Sequence, residues 1–575
     1  MLRFSNQPKL DIMRKLFFIA TLILFLFIGF SAQAETVGQK ETFYIEPAYD
    51  SSGREELTAV LVKITPELYF YTDENWWNFT PQNEVYQTLS NLGEEFGDKI
   101  YPVLTSTFGS EWKPGIDKDS RVTILIHPMI KEAGGYFNPK DEYPKLQFTN
   151  SNEREMLYLN SEYIRTTYAK SFLAHEFVHL ITFNQKERRY GVEEQVWLNE
   201  ARADYAPTLI GYDDIYEGSN LERRVKIFLE GHSDSLTEWK NKNLDYGVAN
   251  LFIQYLVDHY GVEILVDSLH TTTPGIISIN DALEKNGLEV DFSQIFTDWT
   301  VASLINDCNL GPKYCYLNQN LKDLHIMPSI NFLPTSGKSS LSVTDEIKNW
   351  SCNWYKIIGG KGKLKIEFTG YPTIVFKIPY LTKDSAGNYS LNFLELDRSQ
   401  KGEMYVDEFG TEITTIIFNP LVQDRISGFS DNDPSYSFSW SASIVETQEE
   451  VELIKNLLAK IEFLKAEIAK VQAQIDAILA ARGEKPSCQK FENNLYYGLM
   501  DNSEVRCLQE FLKSQGIEIY PDGLITGNFL SLTKAAVIRF QEKYTEDILV
   551  PWELTEGTGY VGPKTRAKIN ELMNQ

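Results

Sequence analysis

The spacing of apolar positions divides the chain into segments of different periodicity. Residues 35–165 mix short apolar runs with helical patterning. Leu57–Lys63, Leu68–Tyr71, the β-branched Arg121–His127 (RVTILIH) and Met156–Asn160 predict strands, while Val85–Phe96 predicts a helix. From Tyr168 to about Asn306 the pattern is helical, with successive amphipathic runs and few β-branched clusters. Between 307 and 445 the period falls to two, at Leu364/Ile366/Phe368, Ile374/Phe376/Ile378 and Tyr436/Phe438/Trp440/Ala442/Ile444. Alternation broken by Gly, Pro and Asn/Asp turns predicts an antiparallel β-sandwich, here without a catalytic cluster.

A heptad segment occupies 446–482. Ile454, Ile461, Ile468 and Ile475 recur at one seam position, and Leu457, Leu464, Val471 and Ile478 at the other. That composition predicts a parallel two-stranded coiled coil and so a homodimer contact through 451–482. A helical hairpin or a lone spacer helix fits the same pattern, and Leu458 and Leu479 beside the seam allow a higher oligomer. Gly483, Pro486 and Ser487 end the helix and open a final segment, 483–575.

The first 34 residues stand apart. Arg14 and Lys15 precede an unbroken apolar run from Leu16 to Phe30, and Ala32-Gln33-Ala34 follows. A charged region, an apolar region and a small-x-small site predict a signal peptide and an exported protein starting at Glu35. The run is shorter than the roughly 20 residues a spanning helix needs. Export brings the cysteines into question, because disulfides form outside the cytosol. All five lie beyond residue 307: Cys488–Cys507 is the preferred pair, Cys308–Cys315 the next, and Cys352 is left over. With 575 residues, 43% of them hydrophobic, the chain can bury several cores. Its formal charge of −25 argues against broad nucleic-acid binding, which needs a basic surface.

The strongest chemical signal is His175-Glu176-Phe177-Val178-His179. On a helix, i and i+4 share a face, so His175 and His179 can present two imidazoles to one zinc ion. Glu176 projects beside the metal, where a general base for an attacking water belongs. Catalytic zinc needs a third protein ligand, and Glu200 in Trp197-Leu198-Asn199-Glu200-Ala201-Arg202-Ala203-Asp204-Tyr205 is the candidate. Asp204 lies one turn further on the same face and can orient a ligand histidine. Asp117 and Asp119 offer oxygens to calcium, but two carboxylates at a turn are also an ordinary turn, and no calcium site is assigned from them.

HExxH with a ligand Glu on a second helix resembles the gluzincin, or thermolysin-like, metallopeptidases. Within them it resembles the hyicolysin-type neutral metalloproteases of bacteria. The resemblance spans roughly residues 60–260. Its residues include Phe108-Gly109, Asp117 and Asp119, Gly134-Gly135-Tyr136-Phe137, Asn152–Asn160, Leu173-Ala174-HEFVH-Leu180-Ile181 and Trp197-Leu198-Asn199-Glu200. It implies an α+β zincin-type fold, a protein or peptide substrate, and endopeptidase action, since the Gly-x-Met-Glu-Asn motif of related aminopeptidases is absent. It also implies an oxyanion donor at Tyr246, with His232 as the alternative, and substrate strand addition on Met156–Asn160. The chain departs from the pattern in a slightly longer His179–Glu200 spacing and in Glu200-Ala201-Arg202 where Glu-Gly-Leu is commoner.

Residues 488–575 repeat a turn-plus-helix unit through Val505–Leu512, Pro521–Gly527, Ala535–Gln541 and Gly557–Arg566. They resemble the small three-helix peptidoglycan-binding domain, which implies attachment to the cell wall. The whole therefore reads as a multidomain exported zinc peptidase. Its parts are a signal peptide (1–34), a peptidase with an α/β part (35–165) and a helical part (166–306), a β-rich accessory domain (307–445), a coiled-coil spacer (446–482) and a wall-binding domain (483–575). Two alternatives stand beside it: a cell-wall peptide hydrolase with the same zinc site, and a non-catalytic wall-bound scaffold.

Overall fold

A computed structural model describes residues 35–335, 339–445, 448–481, 488–521 and 523–574. The 1–34 segment read as a signal peptide, and Gly483, Pro486 and Ser487, lie outside the described residues. The chain forms two compact units that divide after Val445.

The first unit begins with a six-stranded sheet: β1 (Lys40–Tyr44), β2 (Glu56–Ile64), β3 (Leu68–Asp73), β4 (Val122–His127), β5 (Gly135–Phe137) and β6 (Met156–Asn160). Their order is β1-β2-β3-β4-β6-β5. The β3–β4 and β4–β6 pairs are parallel and the others antiparallel. RVTILIH forms a strand because both of its faces are covered. Val122, Ile124 and Ile126 join the core shared with the helices, whereas Leu125 packs with Tyr69, Tyr71, Met156 and Tyr158 on the opposite face.

Met156–Asn160 is not an edge strand. It is flanked by β4 and by β5, and all five of its residues are buried. The edge on that side is the three-residue β5, which opens on Gly135 just after Gly134 and carried no strand signal.

Helices cover one face of this sheet. Ala169–Thr182 carries HEFVH and buries Leu173, Ala174, Phe177, Val178, Leu180 and Ile181 in the large core. Val196–Ile210 packs beside it and ends at Gly211, whose φ of 84° only glycine adopts readily. Asn220–Glu230 and Asn243–Tyr260 complete the layer around the site.

Residues 329–445 are β-rich. Nine strands, mostly antiparallel, fall into two groups joined by the single pair Phe409–Ile413, and the Phe418 ring of one meets Trp440 of the other, centres 4.7 Å apart, in a core with Leu364, Ile366, Phe368, Phe438 and Ala442. The alternation is as read: Ile366 stands opposite Ala442, and Phe368 opposite Trp440, all pointing inward. The Ile374–Ile378 stretch differs, with only Phe376–Lys377 forming a short strand of a separate three-stranded sheet. Trp350, Cys352, Trp354, Ile417 and Leu421 are buried in the same core as the helices around HEFVH, so separating the two would expose that surface. Cys308 is bonded to Cys315, and Cys352 is buried and free.

In the second unit Gln448–Ala481 is one helix. Its seam residues Ile454, Leu457, Ile461, Leu464, Ile468 and Val471 are exposed on the single chain. The last segment contains the helices Ser503–Ser514, Ser531–Lys543 and Pro563–Met573 and the one-turn helix Thr545–Ile548, with Cys488 bonded to Cys507. The internal repeat has a physical basis. The Gln509 amide accepts from the Thr526 and Gly527 N–H groups and donates to Thr533 Oγ1. Gln541 accepts from Gly559 N–H and donates to Thr565 Oγ1 in the same way. Among the described residues no helix is long and apolar enough to cross a membrane.

Candidate metal centre

His175 and His179 fall one turn apart on Ala169–Thr182, and Glu200 projects towards them from Val196–Ile210. Their ligand atoms form a nearly equilateral triangle. His175 Nε2 is 3.1 Å from His179 Nε2 and 3.2 Å from Glu200 Oε2, and His179 Nε2 is 3.5 Å from the same oxygen. Three ligands about 2.0–2.1 Å from a tetrahedral zinc stand roughly 3.3 Å apart, so the donor set and its spacing fit that ion. Among the described residues this is the group of His, Cys, Asp and Glu whose ligand atoms converge closely enough to hold a metal.

The buried charges of the triad shift Glu200 and His175 in opposite directions. Burial alone would raise Glu200, but the two imidazoles outweigh it and bring the carboxyl down to about 2. Burial alone would lower His175, yet the Asp204 and Glu200 carboxylates push it up to about 10. Glu176 shares no such partner: burial raises its carboxyl, against the pull of the two histidines. A raised carboxyl is a better proton acceptor once ionised.

Each histidine has an acceptor behind it. His179 Nδ1 donates to Asn199 Oδ1 at 3.1 Å, and Asp204 Oδ1 stands 3.6 Å from His175 Nδ1, just beyond hydrogen-bond length. Asp204 is buried and held by Arg224, whose Nε and terminal nitrogen donate to it at 2.7 and 2.8 Å. Asn220 and Asn250 add further donors to the same carboxylate. Asn199 carried no separate signal in the sequence; it precedes Glu200, and only the helix crossing turns it towards His179.

The triad opens into two adjoining hollows, of about 350 and 200 Å³. Gly135 of the edge strand, His175, Glu176, Tyr49 and Tyr246 line both. Tyr246 opens Asn243–Tyr260 with its ring 6.4 Å from that of His175, and its hydroxyl donates to Asn241 Oδ1 at 3.2 Å. Burial, then the Glu200 and Glu176 charges, push its phenol well up, so it stays a proton-bearing donor. Tyr49 reaches the same cleft from the loop after β1, and its hydroxyl accepts from Asn241 Nδ2 at 3.4 Å. Its contribution comes from some 200 residues away in sequence and was not foreseen. His232 is not brought to the site; it packs against Phe228 and Trp354. Arg202 also turns away, buried against Glu194 at 3.1 Å and Ser268.

Comparison with known proteins gives one informative relative. Over 245 residues the chain is 27% identical to the neutral metalloprotease ShpI of Staphylococcus hyicus, covering 37% of this chain and 52% of the relative. No family model matches. The solved structures with local likeness include the pre-peptidase C-terminal domain of a Bacillus anthracis collagenase and the lysozyme inhibitor PliG of Aeromonas hydrophila. These are 7% and 10% identical over 20% and 21% of this chain, spanning 97% and all of those chains, each with a TM-score of 0.15, too low to bear on fold. The chain thus spans about half the length of a neutral metalloprotease to which it is similar, and carries a His-His-Glu triad able to hold a metal.

Proposed function

We propose that the chain is an exported zinc-dependent endopeptidase, retained at the cell wall by its C-terminal domain. The observation that carries this reading is the triangle of His175, His179 and Glu200 with the Glu176 carboxylate beside it in an open cleft. A zinc ion held there would polarise the scissile carbonyl and make water a nucleophile at neutral pH. Glu176 takes the proton of the attacking water and returns it to the leaving amine. Tyr246 donates to the oxygen that gains negative charge, and Tyr49 is a second phenol within the cleft. Asp204 and Asn199 orient the two histidines. An extended peptide adds to β5, whose outer edge is unpaired in the sheet, so its main chain runs past Glu176.

Two disulfides support export. Wall attachment rests on the repeated turn-plus-helix units and the glutamine-bridged turns within them. The exposed seam of Gln448–Ala481 suits a second copy of the chain. Residues 35–575 should bind zinc stoichiometrically and digest casein, while Glu176→Gln keeps the metal and loses about 10²–10⁴ in rate. A wild type without stoichiometric zinc refutes the assignment and favours a scaffold. Zinc with digestion of purified sacculi but not casein moves the substrate to wall peptides.

A further inference from the structure

The hollow of about 350 Å³ that opens from the triad towards Asn220–Glu230 holds a charge the mechanism does not use. Arg223 and Arg224 both line it, together with His175, Glu176 and Phe172. The two guanidinium groups are in different states. Arg224 is buried and spends two N–H groups on Asp204. Arg223 is half-buried, and among the described residues no carboxylate pairs with it; a terminal nitrogen donates to Asn220 Oδ1 at 2.7 Å. Its Nε is buried without an acceptor.

The surroundings hold Arg223 in this position. Asn220, one turn before it, accepts from Arg223 and donates to Asp204 Oδ1, and so keeps the guanidinium beside the Asp204–Arg224 pair without admitting it. The guanidinium carbon lies 5.4 Å from the ring centre of Phe172 and 5.9 Å from that of Tyr168, within cation–π range. Phe172 and His175 are three apart on one helix and share a face, so the ring behind Arg223 stands one turn from the first metal ligand. Burial, then the like charge of Arg224, push the guanidinium down to about 10, and it keeps its proton at neutral pH. At the rim, exposed Lys242 and Glu132 are opposite in sign and leave the inner charge uncancelled.

On the zinc-peptidase reading, on which this rests, we infer that Arg223 sets specificity: the hollow takes an acidic side chain of the substrate, glutamate or aspartate, in contact with the Arg223 guanidinium. A half-buried cation surrounded by rings and an amide is stabilised by an anion that brings acceptors as well as charge, and a carboxylate fits the guanidinium fork with two parallel bonds. Because His175 and Glu176 line the same hollow, the side chain that fills it belongs to one of the two residues flanking the bond being cut.

The test uses the zinc-loaded 35–575 chain and peptides identical except for Glu, Gln or Leu on either side of one scissile bond. At one of the two positions Glu should exceed Gln in kcat/KM by about tenfold or more, the scale of a charge-assisted pair. Arg223→Met keeps the apolar contact with Phe172 without the charge and should bring that ratio to within about twofold, while Arg223→Lys should keep part of it. Zinc content is measured for each variant, so that a disturbed Asp204–His175 contact is not read as specificity. A dipeptide hydroxamate, which grips zinc through its own oxygens, makes the same comparison without turnover: by calorimetry the Glu compound should bind about tenfold tighter than the Gln compound, and equally in Arg223→Met. Equal handling of Glu and Gln, or a preference for Leu, overturns the inference and leaves the peptidase reading standing if peptides are cut. A Glu preference undiminished in Arg223→Met overturns it as well. If no peptide is cut but the hydroxamates bind with the Glu preference, the acidic subsite holds and the endopeptidase reading fails. If neither hydroxamate binds, the metal centre and the subsite fall together.

Discussion

Replacing Asp204 by Asn separates two jobs that the carboxylate performs. Its side chain is 2% exposed and takes both guanidinium hydrogen bonds of Arg224, itself 5% exposed, while facing His175 Nδ1. The amide keeps the shape but removes the charge, which leaves Arg224 buried without its partner. That loss is worth about 3–5 kcal/mol of folding stability. The second loss is orientation of a metal-ligating histidine, which costs 10–100-fold in metal affinity, or roughly 1.4–2.8 kcal/mol. Chemical denaturation of the metal-free protein reads the first, and competition with a chromophoric zinc chelator reads the second. Adding Arg224→Met should restore most of the stability, because no orphaned charge remains, and should leave zinc binding weak. If Asp204→Asn binds zinc as tightly as wild type, Asp204 does not orient His175. If the double variant regains wild-type affinity, Asp204 acts only through Arg224, and the reasoning fails.

Three further outcomes follow from the same geometry. Asn199→Ala removes the acceptor of His179 Nδ1 and should weaken zinc binding about tenfold while changing unfolding free energy by about 1 kcal/mol or less. Gly135→Ala places a Cβ 2.5 Å from the Tyr158 carbonyl and 3.2 Å from Glu176 Oε1; it should lower kcat/KM on casein at least tenfold (about 10²-fold for a 1 Å shift) with zinc content unchanged. Tyr246→Phe should lower kcat by about 10²–10³ with KM little changed, and a loss under about fivefold would transfer the oxyanion role to Tyr49→Phe as the next variant measured.

Much of this protein is decided by local sequence. The i, i+4 placement of His175 and His179 follows from helical pitch alone, and Glu200 and Asp204 are likewise one turn apart before any tertiary contact forms. RVTILIH reads as a strand because β-branched residues fill it, and the alternation through Tyr436–Val445 fixes which side faces the core. The preferred disulfides, Cys488–Cys507 and Cys308–Cys315, join cysteines that are near in sequence.

What depended on the fold is whatever distant segments share. The crossing of two helices closes the His-His-Glu triangle and turns Asn199 towards His179, while Arg202 on the same helix goes to the opposite side. Tyr49 and Asn241 meet in the cleft across 192 residues. A three-residue strand is too short for period-2 patterning to reveal, so only sheet pairing shows that Gly135–Phe137, and not Met156–Asn160, is the edge. The joint core of the helices with Trp350 and Trp354 has the same origin. Periodicity reports how a segment presents its own side chains; which side chains it meets is set by packing between segments, and the single chain carries no periodic trace of that.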